Sequence, residues 1–191
     1  MDMEMKYQQA SSLRKLYFVR TAFQLLWAGS VFATAMTQPS VAAALLILYP
    51  LWDVACTAYD LKTSALDSST RTSQTINAVL GAAAALGIGL TTFSQPAYAI
   101  GIFGAWALGA GLLQLAAGLF RRKQLGGQWA MILSGLQSTA AGIALGLGGL
   151  HGTVHAKNLG GYAIFGALYF SIAGILLSRK LSRPTSAEAM G

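Results

Sequence analysis

Six stretches of the chain run for close to twenty residues with almost no charge: Leu16 to Met36, Val41 to Leu61, Ile76 to Phe93, Ala97 to Phe120, Trp129 to Leu150 and Leu159 to Leu177. Each approaches the ~20 residues that a helix needs to cross ~30 Å of hydrocarbon. Charged residues make up 10% of the chain and hydrophobic ones 54%, against roughly 25% charged in an ordinary soluble domain. A soluble bundle built from these segments would lack a polar surface. Their continuity also fails to match the short alternating strands of a β-barrel. The expected fold is all-α and integral to a membrane, with six transmembrane helices. The segments use nearly the whole chain, which leaves no separate soluble catalytic domain. A cytoplasmic tail is expected over 1–15, a single membrane domain over 16–178 (hairpins 16–61, 76–120 and 129–177), and a second cytoplasmic tail over 179–191.

The net charge of +7 is distributed by side rather than by patch. Lys6, Arg14 and Lys15 precede the first span, Lys62 and Arg71 lie between the second and third, and Arg121, Arg122 and Lys123 follow the fourth. Arg179, Lys180 and Arg183 follow the sixth, so eleven of the thirteen basic residues fall on one face. The other face carries Lys157, and Arg20 lies within a span. The positive-inside rule makes the basic face cytoplasmic, with both termini on it. The Arg121–Arg122–Lys123 run is expected to anchor that topology beside anionic lipid, and no nucleic-acid partner is called for. The first span reads as a retained signal anchor, since no small-residue cleavage site follows it at a suitable place. Cys56 lies alone within the second span and is expected to be an inert small hydrophobe.

Internal repetition gives the segments an order. "TQPSVA" begins at Thr37 and "SQPAYA" at Ser94, an offset of 57 residues. A second step of 57 aligns the twenty residues from Gly104 with those from Gly161, and seven of the positions are identical. Three units of about 57 residues account for nearly the whole chain. Each unit holds two spans, so all copies share one orientation. The expectation is three parallel helical-hairpin repeats, unlike the inverted repeats of many secondary transporters. Gly81, Ala85 and Gly89 of the third span fall on Ser138, Gly142 and Gly146 of the fifth. These small residues, four apart on one helical face, are expected to be packing surface. No phosphate-loop spacing accompanies them.

The polar residues inside the spans are few. Arg20 corresponds to Asn77 and Ser134 under the repeat, and Gln24 to Gly81 and Ser138. Asp53 is the acid that stands well inside a span. A buried arginine costs at least ~2.5 kcal/mol at mid-membrane unless it snorkels or pairs with an acid. Arg20 rises ~6 Å above the inner end of its helix and Asp53 ~12 Å above the inner end of the next. An extended arginine spans that step, so an Arg20–Asp53 ion pair inside the first hairpin is expected, with Gln24 serving a remaining lone pair. The pair is either structural or, in the alternative, Asp53 is a protonatable element of an ion or proton path. Trp52, Tyr17 and Tyr59 read as packing and interfacial residues.

His151 and His155 share an outer loop rich in glycine and read as solvated. Four residues apart, they could share a metal only on a helix and with a third ligand, and neither is evident, so no metal or other cofactor is assigned. An external acid sensor is the alternative for this pair. No acid pair, Ser-His-Asp set or activated cysteine supports catalysis.

The glycine-rich hairpins, the basic run after an even-numbered span and the following "QWAMILSGLQSTAAGIALGL" resemble the short-repeat membrane proteins of the HdeD type, best from Ile100 to Leu147. That family is associated with acid resistance in enteric bacteria. The resemblance implies a six-span bacterial inner-membrane protein whose molecular activity is not established, and it supplies no catalytic or binding residues. Two functions follow as expectations. One is a non-enzymatic, stress-associated or membrane-organising protein whose partners are the lipid bilayer and either its own copies or other membrane proteins. The other is a small transporter or channel using Arg20 and Asp53.

Overall fold

The computed structural model is all-helical over the described residues, which are 3–64, 66–125 and 128–182. Its elements are α1 (Met3–Thr34), α2 (Pro39–Thr63), α3 (Ser68–Thr91), α4 (Pro96–Leu125), α5 (Trp129–Leu150) and α6 (Ala156–Leu181). Connections of three to five residues make chain neighbours antiparallel. Each helix packs on the next, and α6 returns to pack on α1, so the six close a ring.

Five of the helices, α2 to α6, are long and apolar enough to cross a membrane. Helix α1, the sixth of the expected spans, falls short on that measure, because Arg20 and Gln24 interrupt its apolar part and its first turns are polar. Of the first expected tail, over 1–15, the described part is helical from Met3, and Ala10 and Leu13 are buried with Met131, Ala173 and Leu177. Of the second expected tail, residues 183–191 lie outside the described residues.

Local chemistry sets the helix ends. Pro39 and Pro96 open α2 and α4, where the missing N–H costs nothing. Asp67 caps α3, accepting from the Thr70 amide at 2.7 Å. At the end of α5, Gly152 takes a φ of 70°, and the amides of Thr153 and Val154 return to the Gly148 carbonyl. A residue with a Cβ would be strained there.

The tightest seam joins α4 to α5, and its spacing is seven rather than four. A Cβ on Gly104 would lie 2.2 Å from the Gly146 nitrogen, one on Gly111 2.6 Å from the Thr139 nitrogen, and one on Gly142 2.3 Å from the Leu108 nitrogen. Gly104, Gly111 and Gly118 on α4 thus face a stripe of α5 that includes Gly135, Gly142 and Gly149. Of the expected ladders, Gly81 is a true close approach, 2.7 Å from Val54 Cγ2 by the same measure, and Ala85 is buried. Ser138 donates to the Ala107 carbonyl at 3.1 Å and lies 2.8 Å from the Tyr162 hydroxyl. The other two make ordinary contact rather than a close approach: a Cβ on Gly89 would meet Ile47 Cδ1 at 3.8 Å, and one on Gly146 the Gly104 carbonyl carbon at 3.8 Å. Gly146 matters as the backbone on which Gly104 rests.

Aromatic rings fill the half of the ring nearer the Gln38 and Gln95 turns. Tyr49 lies with centroids 4.6 Å from Trp27, 5.7 Å from Phe103 and Trp106, and 6.0 Å from Tyr162. Trp27 Nε1 donates to the Leu45 carbonyl at 2.8 Å, beside the turn that Pro50 leaves one hydrogen bond short.

Candidate functional site: a buried double ion pair

Helix α2 builds the site because its polar residues recur on one face. Asp53, Thr57, Asp60 and Ser64 are spaced four, three and four apart, so they stack along the side turned into the ring. Two carboxylates placed in this way must find compensation from other helices.

Asp53 finds it on both sides. Arg20 Nη1 donates to Asp53 Oδ1 at 2.7 Å, and Asn77 Nδ2 donates to Asp53 Oδ2 at 2.7 Å and to Thr57 Oγ1 at 3.1 Å. The Arg20 and Asp53 side chains are each 14% exposed. The guanidinium carbon also stands 5.1 Å from the Phe170 ring centroid, a cation–π distance. Helices α1, α2, α3 and α6 therefore meet at one pair. Gln24 does not serve Asp53 as expected. It lies against Gly166 of α6, where its Oε1 has no protein partner. The free lone pair of Asp53 goes instead to Asn77, whose helix approaches closely because Gly81 has no side chain.

Asp60 carries a second network one level nearer the basic end. Arg121 Nη2 pairs with Asp60 Oδ2, Gln74 Nε2 donates to the same oxygen at 2.7 Å, and Ser64 Oγ donates to Oδ1 at 2.6 Å. Asp60 is 3% exposed and Arg121 7% by side chain. The expectation of Arg121 as a surface anchor is therefore corrected: it turns inward, while Arg122 beside it is exposed. The side chains of Lys6 and Lys123, and all of Arg183, lie outside what is described. Tyr17, expected at the interface, is 3% exposed and donates to Gln128 Oε1 at 3.3 Å.

Between the two networks is a cavity of about 60 Å³, reached by Tyr17, Arg20, Asp53, Asp60, Asn77 and Gln114. A water needs about 10–15 Å³ of such volume and two to four polar partners. The cavity thus suits a few waters and no larger solute. Asn77 Oδ1, buried without a protein partner, marks a polar atom on its lining that water would serve. The aromatic layer of Tyr49, Phe103, Trp106 and Tyr162 occupies the ring on the other side of Asp53.

The remaining candidates stand apart. His151 and His155 are exposed, one following α5 and the other preceding α6, whose Asn158 Oδ1 accepts from the His155 amide at 3.0 Å. Replacing both with glutamine is expected to leave folding and low-pH survival of the host unchanged, because neither ring is buried against another element. A collapse of survival at unchanged expression would reverse that assignment. Cys56 is buried and forms no disulfide. Among the described residues no three His, Cys, Asp or Glu side chains converge as metal ligands.

No protein-family model, curated protein or solved structure matches the chain.

Proposed function

We propose that this chain is a non-enzymatic, multi-pass protein of the cytoplasmic membrane that works through helix packing, with both termini inside and α1 as a sixth span. The observation that carries the reading is that both inward carboxylates are neutralised within the helix ring, Asp53 by Arg20 with a hydrogen bond from Asn77 and Asp60 by Arg121 with one from Gln74. Such a core fixes the relative depth of four helices and offers no unpaired acid to a passing ion.

Large apolar side chains on the outer surface support insertion. Leu26, Leu90 and Phe93 are more than 70% exposed, and α1 adds Val19, Leu25 and Phe32 to the same exterior. The three-hairpin repeat rests on the 57-residue offset of the two Gln-Pro turns and on the match of Gly104 onward with Gly161 onward. The stress association rests on the HdeD resemblance. A transporter or channel through Arg20 and Asp53 is the competing reading, and the small cavity below an aromatic layer weighs against it.

Reconstitution into liposomes tests the choice. Proton and potassium flux are expected to match protein-free vesicles across pH 5 to 8. A flux above that background, lost in Asp53→Asn, would establish the transport reading in place of this one.

A further inference from the structure

A second hollow lies outside the ring, between α1 and α2, with a volume of about 390 Å³. Its walls are Leu16, Val19, Trp52, Ala55 and Cys56, and its remaining lining is Lys15 and Tyr59. It exists because α1 and α2 pack less extensively than any other chain neighbours. They are held together above it, where Phe23 and Trp52 stack at 4.4 Å, and on its inner side by the Arg20–Asp53 pair. Leu16 and Cys56, at its back, are buried in one apolar cluster with Trp52 packed against it. From Lys15 to the level of Phe23 is eight residues of helix, ~12 Å of groove.

The two ends of this groove differ in chemistry. The walls are apolar, and Val19 and Tyr59 on its lining are exposed. The basic end carries Lys15, and Lys62 stands one turn beyond Tyr59 on α2; both are exposed. Among the described residues neither lysine is paired with a carboxylate. A ligand that fits must be a hydrocarbon chain ending in an anion at the depth of the lysines.

We propose that the α1–α2 groove binds an anionic glycerophospholipid of the inner leaflet, one acyl chain between Val19 and Ala55 and the phosphate between Lys15 and Lys62. This rests on the membrane reading above and adds a lipid partner to it. Zwitterionic lipid offers the same chain without the net charge, so selection between the two falls to the lysines.

Trp52 reports the occupant. Trp27 and Trp106 are buried in the core at 2% and 3% exposure, whereas Trp129 is exposed, so a Trp129→Phe background isolates the groove. That protein is reconstituted in vesicles containing either dibrominated phosphatidylglycerol or dibrominated phosphatidylcholine at equal mole fraction, and tryptophan quenching is read. Phosphatidylglycerol is expected to associate more strongly, by roughly fivefold for each lysine engaged. Lys15→Gln with Lys62→Gln is expected to abolish that preference, Ala55→Phe to weaken quenching by both lipids, and Trp52→Phe to remove the quenched signal. Equal quenching of the parent by the two lipids, or a preference that survives both the lysine and the Ala55→Phe changes, would overturn the proposal. Failure of either lipid to quench a protein that retains Trp129 would overturn the membrane reading itself.

Discussion

Asp53→Asn and Arg20→Gln are each expected to destabilise the folded protein strongly, and the double change to restore much of the loss. Either single change strands a charge inside the ring, where the pair is 14% exposed on both sides. Breaking a buried pair costs ~3 to 5 kcal/mol, while removing both charges can be close to neutral. The two singles are expected to be unequal. Arg20 left alone keeps its contact with Phe170, whereas Asp53 left alone keeps Asn77 and can take up a proton. Thermal unfolding in detergent of wild type, both singles and the double completes a cycle. Additive losses would mean that the residues are not coupled. Extending the cycle to Asn77→Ala separates the amide's share, expected at ~1.5 to 3 kcal/mol for a hydrogen bond to a charged group.

The second large effect is expected at the α4–α5 seam. Gly142→Ala puts a methyl 2.3 Å from the Leu108 nitrogen and 2.8 Å from the Gly104 carbonyl oxygen, and both are backbone atoms that cannot turn aside. The helices must part along the seam, so a loss at or above the ~3 kcal/mol upper end for overpacking is expected. Gly104→Ala is expected to behave alike. Gly89→Ala is the control, since its methyl meets only Ile47 Cδ1 at 3.8 Å. There the helix propensity of alanine is free to stabilise, by up to ~1 kcal/mol. Equal losses at Gly142 and Gly89 would contradict the seam as described.

These two predictions mark what could be read from the residues and what could not. Arg20 and Asp53 announce themselves because a charge within an apolar run demands a partner, and their depths on one hairpin match. Asp60 was harder to see. It stands near the end of its apolar run, and Arg121 belongs to a basic run that reads as a boundary marker, so each has a sufficient explanation without the other. The spacing of Asp53 and Asp60 by seven was the available signal, because it places both carboxylates on one face. Asn77 could be paired with Arg20 by the repeat, yet nothing in the repeat says that equivalent residues converge on one acid. The glycine ladder is legible as packing surface, but a spacing of four passes over Gly104, Gly111 and Gly118, where the backbones of α4 and α5 meet. Helix α1 shows the opposite limit. Its composition argues against a span and its place in the ring argues for one, because Arg20 and Gln24 turn inward where the ring holds them.

That helix decides the topology, and with it the central claim. Single cysteines in a Cys56→Ser background, at positions 38, 95 and 153 and at 7, 71, 122 and 182, are labelled in intact cells with a membrane-impermeant maleimide. Six spans with both termini inside predict labelling of positions 38, 95 and 153 in intact cells and of 7, 71, 122 and 182 only after the cytoplasmic face is opened. Labelling of position 7 in intact cells would remove α1 as a span, and labelling of position 153 only from the cytoplasm would contradict the account.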